Sequence, residues 1–310
     1  AENPNAPVGR ILGHEGVGRI VSVGSEVKDF KPGDIVAVPA VTPMWRNLDV
    51  QDCNHQHSGG YLGGRYLSSK WDGMFAEDFK VPDVDLNVAK IPDGVSLEAA
   101  ALVGDMVTTG FHGVELADVK FGDRVCVIGI GPVGLMSVAG CVLRGAAEIY
   151  AVGHRPVTRE LAMQYGATAT IDYQDGPIVE QVMKLTGGQQ IEKVIIAGGE
   201  PTVFNDALAL VKYTGTVANL AGHGRTELLL PIYTNESGFG FCAHKTVTGG
   251  LCPGGRRRIE RLMGMVKAGR FEPEKLITHR FYGLDGIEEA FDLMKSKNPE
   301  VIKPIIYFDK

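Results

Sequence analysis

The stretch VCVIGIGPVG, Val125 to Gly134, limits what this chain can fold into more than any other. Four apolar residues suited to a buried strand run straight into Gly129-Ile130-Gly131-Pro132-Val133-Gly134, and the next segment, LMSVAGCVLRG, has the apolar spacing of a helix. Strand, glycine turn and helix in that order predict the first unit of a dinucleotide-binding sheet. Each glycine then has its own task. Gly129 makes the tight turn, Gly131 lets the backbone approach a pyrophosphate, and Gly134 lets the helix pack close to the sheet. Pro132 and Val133 open the helix, where the fixed φ of proline suits the first turn and unpaired N–H groups attract phosphate. A lone G-x-G-x-x-G is a weak signal, and the uncharged run Val125 to Leu143 comes near the length of a membrane span. Three glycines and a proline close to its start speak against that second reading.

The remainder of the chain fits a soluble two-domain enzyme. Its 310 residues are enough for two domains, and 44% hydrophobic with 22% charged residues is ordinary for a globular protein. A net charge of −6 with no basic tail argues against nucleic acid as a partner. Cys53, Cys126, Cys141, Cys242 and Cys252 form no C-x-x-C pair, which predicts reduced thiols in a cytoplasmic setting. No signal peptide opens the chain. It also lacks an initiator methionine and enters strand-like sequence almost at once, so residues are expected upstream.

From Ile11 to about Val103 the chain reads as β-rich, with IVSVG, DIVAVPA and EDFKVP as short strands. Leu97 to Ala101 predicts a short helix, and Met106 to Leu116 another with Asp105 in the N-cap position. After Gly122-Asp123, strands alternate with helices, which implies a parallel, doubly wound sheet and an α/β fold. VCVIG, EIYAVG, ATIDY, KVIIAG, GTVANL and KTVTGG are its strands, with helices near 133–144, 157–165, 177–186 and 202–212. RRRIERLMGMVKAG and GIEEAFDLMKS read as amphipathic helices, and VIKPIIYF as a final strand.

The end of the second strand of such a sheet meets the adenine ribose, where an Asp or Glu would select NAD. Here EIYAVG ends in Gly153-His154-Arg155, with no carboxylate. Arg155 can bind a 2′-phosphate with a forked pair of hydrogen bonds, so NADP is favoured over NAD; the bland reading is a solvated cation before a proline. If His154 also approaches the phosphate, affinity should weaken as pH rises through the imidazole range near 6.5. A passive turn histidine is the alternative.

A second unusual stretch is Ile11-Leu12-Gly13-His14-Glu15-Gly16-Val17-Gly18. Alone, His14 reads as a hydrogen-bonded core histidine and Asp105 as a helix cap. Taken in order, however, GHEGVG, VGSEV, FKPGDIV, HQHSGG, GDMVTTGFHG, VCVIGIGPVGLMSVAG, AVGHRP, GGLCPGGR and KLITHRF resemble the zinc-dependent medium-chain alcohol dehydrogenases. The resemblance runs from about Ile11 to Tyr307 and is closest to the NADP-dependent secondary alcohol dehydrogenases of bacteria and anaerobic protists. It implies a discontinuous GroES-like catalytic domain, residues 1–108 and 252–310, and an NADP-binding Rossmann domain, residues 109–251.

The resemblance also implies the site. His14 and Asp105 would be catalytic and would ligate one catalytic zinc, with Glu15 in or beside the ligand shell. Gly153, His154, Arg155 and Tyr173 would surround the 2′-phosphate, and Lys297 is a weaker candidate for the same group. The family's cysteine ligand and proton-relay hydroxyl belong upstream of GHE, before this chain begins. Only Cys53 falls where relatives place four cysteines, so no structural zinc is expected, and His55-Gln56-His57 is read as structural or interfacial. Arg256, Arg257, Arg258 and Arg261 form a cationic cluster read as a solvated or interface face, with a cofactor role as the alternative. Arg65 and the turn Asn219 to His223 depart from relatives in the substrate pocket.

The function so implied is reversible hydride transfer between NADP(H) and small secondary alcohols or their ketones, by a homotetramer with no membrane or nucleic-acid partner. A zinc-free NADPH reductase of the same superfamily, or a silent dinucleotide-binding protein without a complete metal site, are the competing readings.

Overall fold

The computed structural model describes residues 8–52, 62, 71–223, 227–228 and 244–308. The chain divides into two compact units, one of Ala1–Thr108 with Leu251–Lys310 and one of Thr109–Gly250.

In the first unit β1 (Gly16–Arg19), β2 (Ile35–Val38) and β3 (Ala89–Lys90) form an antiparallel sheet in sequence order. Phe30, Val36, Val38, Leu62, Met74 and Val88 pack as its core. IVSVG is not a strand. The ladder lies just before it, in GVGR, and pairing stops after Ile20, whose N–H donates to Asp34 O at 2.9 Å. Val21 is 70% exposed, so alternation without a surface to bury against makes no strand there. EDFKVP likewise sends Phe79 and Val81 against the core without joining a ladder. A four-residue helix, α1 (Val84–Asn87), follows it. It ends on Asn87, whose fully buried amide donates to the carbonyls of Pro43 and Pro82 and accepts from Trp45 Nε1 at 3.0 Å.

Helix α2 (Leu97–Leu102) starts at Ser96, whose hydroxyl accepts from Ala99 N–H at 3.0 Å. It runs without a break through a π-helical turn, Val103–Val107, into α3 (Thr108–Leu116). The expectation of Asp105 as an N-cap is therefore corrected: helix precedes it, so there is no free helix start for it to cap. A single-turn π segment inside a helix is a recurrent feature of functional sites. The unit closes with α8 (Arg256–Lys267), α9 (Asp285–Lys295) and a two-stranded parallel sheet of β10 (Ile277–Tyr282) and β11 (Lys303–Tyr307).

The second unit holds six parallel strands: β4 (Arg124–Ile128), β5 (Glu148–Val152), β6 (Ala169–Ile171), β7 (Ile191–Ile196), β8 (Val211–Asn219) and β9 (Thr246–Gly249). Their spatial order is β6-β5-β4-β7-β8-β9, the doubly wound arrangement. Helices α4 (Pro132–Leu143), α5 (Pro156–Gln164), α6 (Ile178–Leu185) and α7 (Val203–Leu210) connect them. Val125, Val127, Val194, Ile195 and Ile196 are all inaccessible. Unbroken apolar strands are what a sheet covered on both faces requires.

Register decides where the site lies. Val152 pairs with Ile171 and Ile128, Ile128 with Ile196, Ile196 with Asn219, and Asn219 with Gly249. The six strands thus end level, and the loops after them leave from one edge, where ligands of this architecture bind.

Candidate active site

At that edge the glycine turn follows β4, and its three glycines differ in what surrounds them. Gly129 has φ +90, a left-handed conformation, and a β-carbon there would stand 2.6 Å from Gly198 N in the loop after β7. Gly134 is closed by packing, since a β-carbon would lie 2.0 Å from Gly129 O. Gly131 faces nothing within 4 Å and caps α4 without a side-chain hydrogen bond. Pro132 takes the first position of α4 with Val133 behind it, so the helix begins with open space before its N–H groups.

Beside the turn, Gly153 leaves β5 under Ile130, whose Cγ1 would be 2.3 Å from an added β-carbon. His154 Nδ1 lies 3.0 Å from both carboxylate oxygens of Asp172, at the end of β6, and its ring is 5.8 Å from that of Tyr173. Arg155 is the N-cap of α5, and burial pulls its guanidinium below its ordinary pKa while Tyr173 works the other way. Gly153, His154, Arg155 and Tyr173 are thus brought together, along with Asp172, which sequence reasoning missed. Its signal was the lone carboxylate after the strand segment ATI of ATIDY. Lys297 is an exposed residue of the other unit with a left-handed φ of 52. A cleft of ≈ 740 Å³ opens past β7 and β8, lined among others by Gly199, Glu200, Thr202, Gly222 and His223. Gly198, whose backbone closes the space beside Gly129, directly precedes Gly199 of this cleft.

In the first unit, the GHE segment is held by three backbone bonds: Gly73 N to Ile11 O, Met74 N to Gly13 O and Phe75 N to Leu12 O, at 2.8–2.9 Å. Gly13 has φ +97, and the next two residues, His14 and Glu15, lead into β1. Across from them, the π turn is seated on β2. Ala40 N donates to Gly104 O at 2.8 Å, and a β-carbon on Gly104 would come within 2.6 Å of Val38 O. This seating delivers Asp105 to His14, with Oδ2 3.4 Å from Nε2. Burial works to lower the His14 pKa, but the hydrogen bond and charge of Asp105 outweigh it and raise it.

Glu15 turns to a different partner. Its Oε2 accepts from Lys303 Nζ at 2.5 Å, and its Oε1 is buried with no hydrogen bond. Burial pushes the Glu15 carboxyl up, and the Lys303 ammonium opposes it. Lys303 was not anticipated; its signal was a lone cation in the apolar strand VIKPIIYF.

Among the described residues no group of three or more His, Cys, Asp or Glu side chains is arranged to hold a metal. The two donors that do converge, an imidazole nitrogen and a carboxylate oxygen, are of the kinds zinc takes. A buried carboxylate oxygen without a partner, on the residue next to His14, fits the same use. In the cationic cluster of α8 three arginines have partners within the protein. Arg256 binds Asp29 and Glu260, Arg257 binds Glu260, and Arg258 donates to Thr108. Arg65, Cys53, His55, Gln56, His57 and Cys242 lie outside the described residues. No described helix is long and apolar enough to cross a membrane.

Residues 1–93 match the model of the alcohol dehydrogenase GroES-like domain, and residues 132–267 that of the zinc-binding dehydrogenases. The chain belongs to the zinc-dependent medium-chain alcohol dehydrogenases, a family of oxidoreductases that pair a GroES-like domain with a Rossmann-like one. Within that family it is 55% identical to the NADP-dependent isopropanol dehydrogenase of Thermoanaerobacter brockii over 296 residues, 96% of this chain and 84% of that protein. It is 52% identical to the protein of the same name from Clostridium beijerinckii, with the same coverage of both. Among solved structures, alcohol dehydrogenase TADH from Thermus sp. ATN1 superposes with a TM-score of 0.84 at 27% identity, covering 98% of this chain and 86% of that one.

Proposed function

We propose that this protein is an NADP-dependent secondary alcohol dehydrogenase that interconverts small secondary alcohols and their ketones. The observation that carries the cofactor choice is the end of β5, where an imidazole and a guanidinium stand in place of a ribose-binding carboxylate. The 55% and 52% identical relatives, both NADP-dependent isopropanol dehydrogenases, support the same choice.

In this reading the open N-terminus of α4 binds the pyrophosphate, with Gly131 giving it access. Arg155, His154 and Tyr173 bind the 2′-phosphate, and the cleft past β7 and β8 takes the nicotinamide half. Lys297 is a further candidate for the 2′-phosphate. His14 and Asp105 would hold one zinc ion, with Glu15 beside them. When bound, zinc supplies a Lewis acid that polarises a carbonyl oxygen and lowers the pKa of an alcohol. His14 Nε2 and Asp105 Oδ2 already face each other, and the seating of the π turn on β2 and the backbone bonds of the GHE segment hold the two side chains' segments in place. We also propose one zinc and no structural zinc, a cytoplasmic location and a homotetramer.

The test is NADPH oxidation with acetone by the purified protein, before and after a chelator. Turnover that is lost on chelation, restored by zinc, and much slower with NADH is the expected result. Absence of turnover with acetone in any metal state would overturn the proposal.

A further inference from the structure

His154 stands at the end of the second strand of the sheet, and its ring is 42% exposed, so a ligand can reach it. Its Nδ1 contacts both oxygens of Asp172, a side chain only 9% exposed. Asp172 also accepts from Arg159 Nη1 at 3.2 Å and from the backbone N–H of Gln174 at 3.0 Å. Burial works to raise its pKa, but the Gln174 N–H and the imidazole outweigh it, so the carboxyl is held ionised. An ionised carboxylate only accepts hydrogen bonds, so the proton on Nδ1 is fixed. In a neutral ring Nε2 is then an acceptor, which repels phosphate oxygen; only the doubly protonated ring offers an N–H there. Among the described residues the charged and titratable groups around this ring are Asp172, Tyr173 at 5.8 Å, neighbouring Arg155, and Arg159 through Asp172.

We propose that His154 is a specificity-determining residue that recognises the cofactor's 2′-phosphate as an imidazolium, with Asp172 as the positioning residue that fixes its tautomer. Binding of NADP therefore takes up a proton from solvent onto Nε2, and release returns it. This rests on the NADP reading above. It also gives Asp172 a use that its position would otherwise oppose: a carboxylate near the phosphate is tolerated because His154 and Arg159 neutralise it.

Calorimetric titration with NADP near pH 7.5, in two buffers of different ionisation enthalpy, counts the protons exchanged. A phosphate monoester, with a second pKa of about 6, is already almost fully dianionic there, so uptake belongs to the protein. The expected result is net proton uptake on binding NADP in the wild type, and near zero for NAD or in His154→Ser. NADP affinity should fall about tenfold between roughly pH 6.5 and roughly pH 8 in the wild type and stay flat in His154→Ser. Asp172→Asn should weaken NADP and not NAD, and reduce the uptake; should that variant fail to fold, the comparison with His154→Ser still decides. A wild type that prefers NADP yet takes up no proton, or a His154→Ser variant with an unchanged pH slope, would overturn the inference. A wild type without preference for NADP would instead overturn the cofactor reading on which it rests.

Discussion

Two glycines three residues apart in one turn differ in why they are glycine, and substitution separates the reasons. At Gly134 a methyl group would drive into Gly129 O, and overpacking of this kind costs about 1–3 kcal/mol. At Gly131 the same methyl meets open space, and the cost to the fold stays within about 1 kcal/mol. Thermal melts should therefore show Gly134→Ala clearly destabilised and Gly131→Ala near the wild type, while NADP titration shows both binding weakly. A full-affinity Gly131→Ala would remove the pyrophosphate assignment. Asn87 is a second single-residue determinant. Asn87→Leu leaves Trp45 Nε1 and two carbonyls without their buried partner, and about 2–3 kcal/mol of stability should be lost on denaturant unfolding. The glycine tasks were legible in the spacing of Val125 to Gly134. The role of Asn87 was not, because a buried amide has no sequence signature until the chain folds around it.

At the level of elements, β7 is tied to its neighbours by more than the ladder. Glu192 accepts from the Arg124 backbone N–H at 3.0 Å and its Nε at 3.2 Å on β4, and from Lys212 Nζ at 2.8 Å on β8. Burial raises the Glu192 pKa, but the bonds from Arg124 and Lys212 outweigh it and hold it at about 2. A depressed folded-state pKa stabilises fully above the unfolded value, near 4.5, and the contribution fades as pH falls from there through about 2. Glu192→Gln should cost about 2 kcal/mol at neutral pH and flatten the acid limb of stability against pH between those values; an acid limb unchanged in the variant would show that other carboxylates govern it. The central strands of this sheet were readable because burial on both faces writes itself as apolar runs, VCVI, IYAV and VII. IVSVG misled because alternation marks a strand only where there is a core to face. The π turn was unreadable for a related reason. Its widening serves the seating of Gly104 on Val38 O, a contact between segments far apart in the chain.

For the whole molecule, the proposed single zinc and tetramer can be measured directly. Metal analysis of purified protein should give one zinc per chain, and light scattering four chains per particle; two zinc ions or a monomer would overturn the respective proposal. Taken by itself, the sequence determined the parallel sheet, the dinucleotide turn and, by resemblance, the family, since these rest on local patterns of apolar and glycine residues. Tertiary structure alone decided which partners the polar groups found. It tied Glu15 to Lys303, 288 residues away, and set Asp172 against His154; to His14 and Asp105, which the resemblance had already paired, it gave a distance of 3.4 Å. Such pairings depend on distances of about 3 Å between strands and turns that only long-range packing brings together. The glycine turn was recognisable from its ten residues read with the helix that follows and the motifs around them; the chemistry beside it needed the fold.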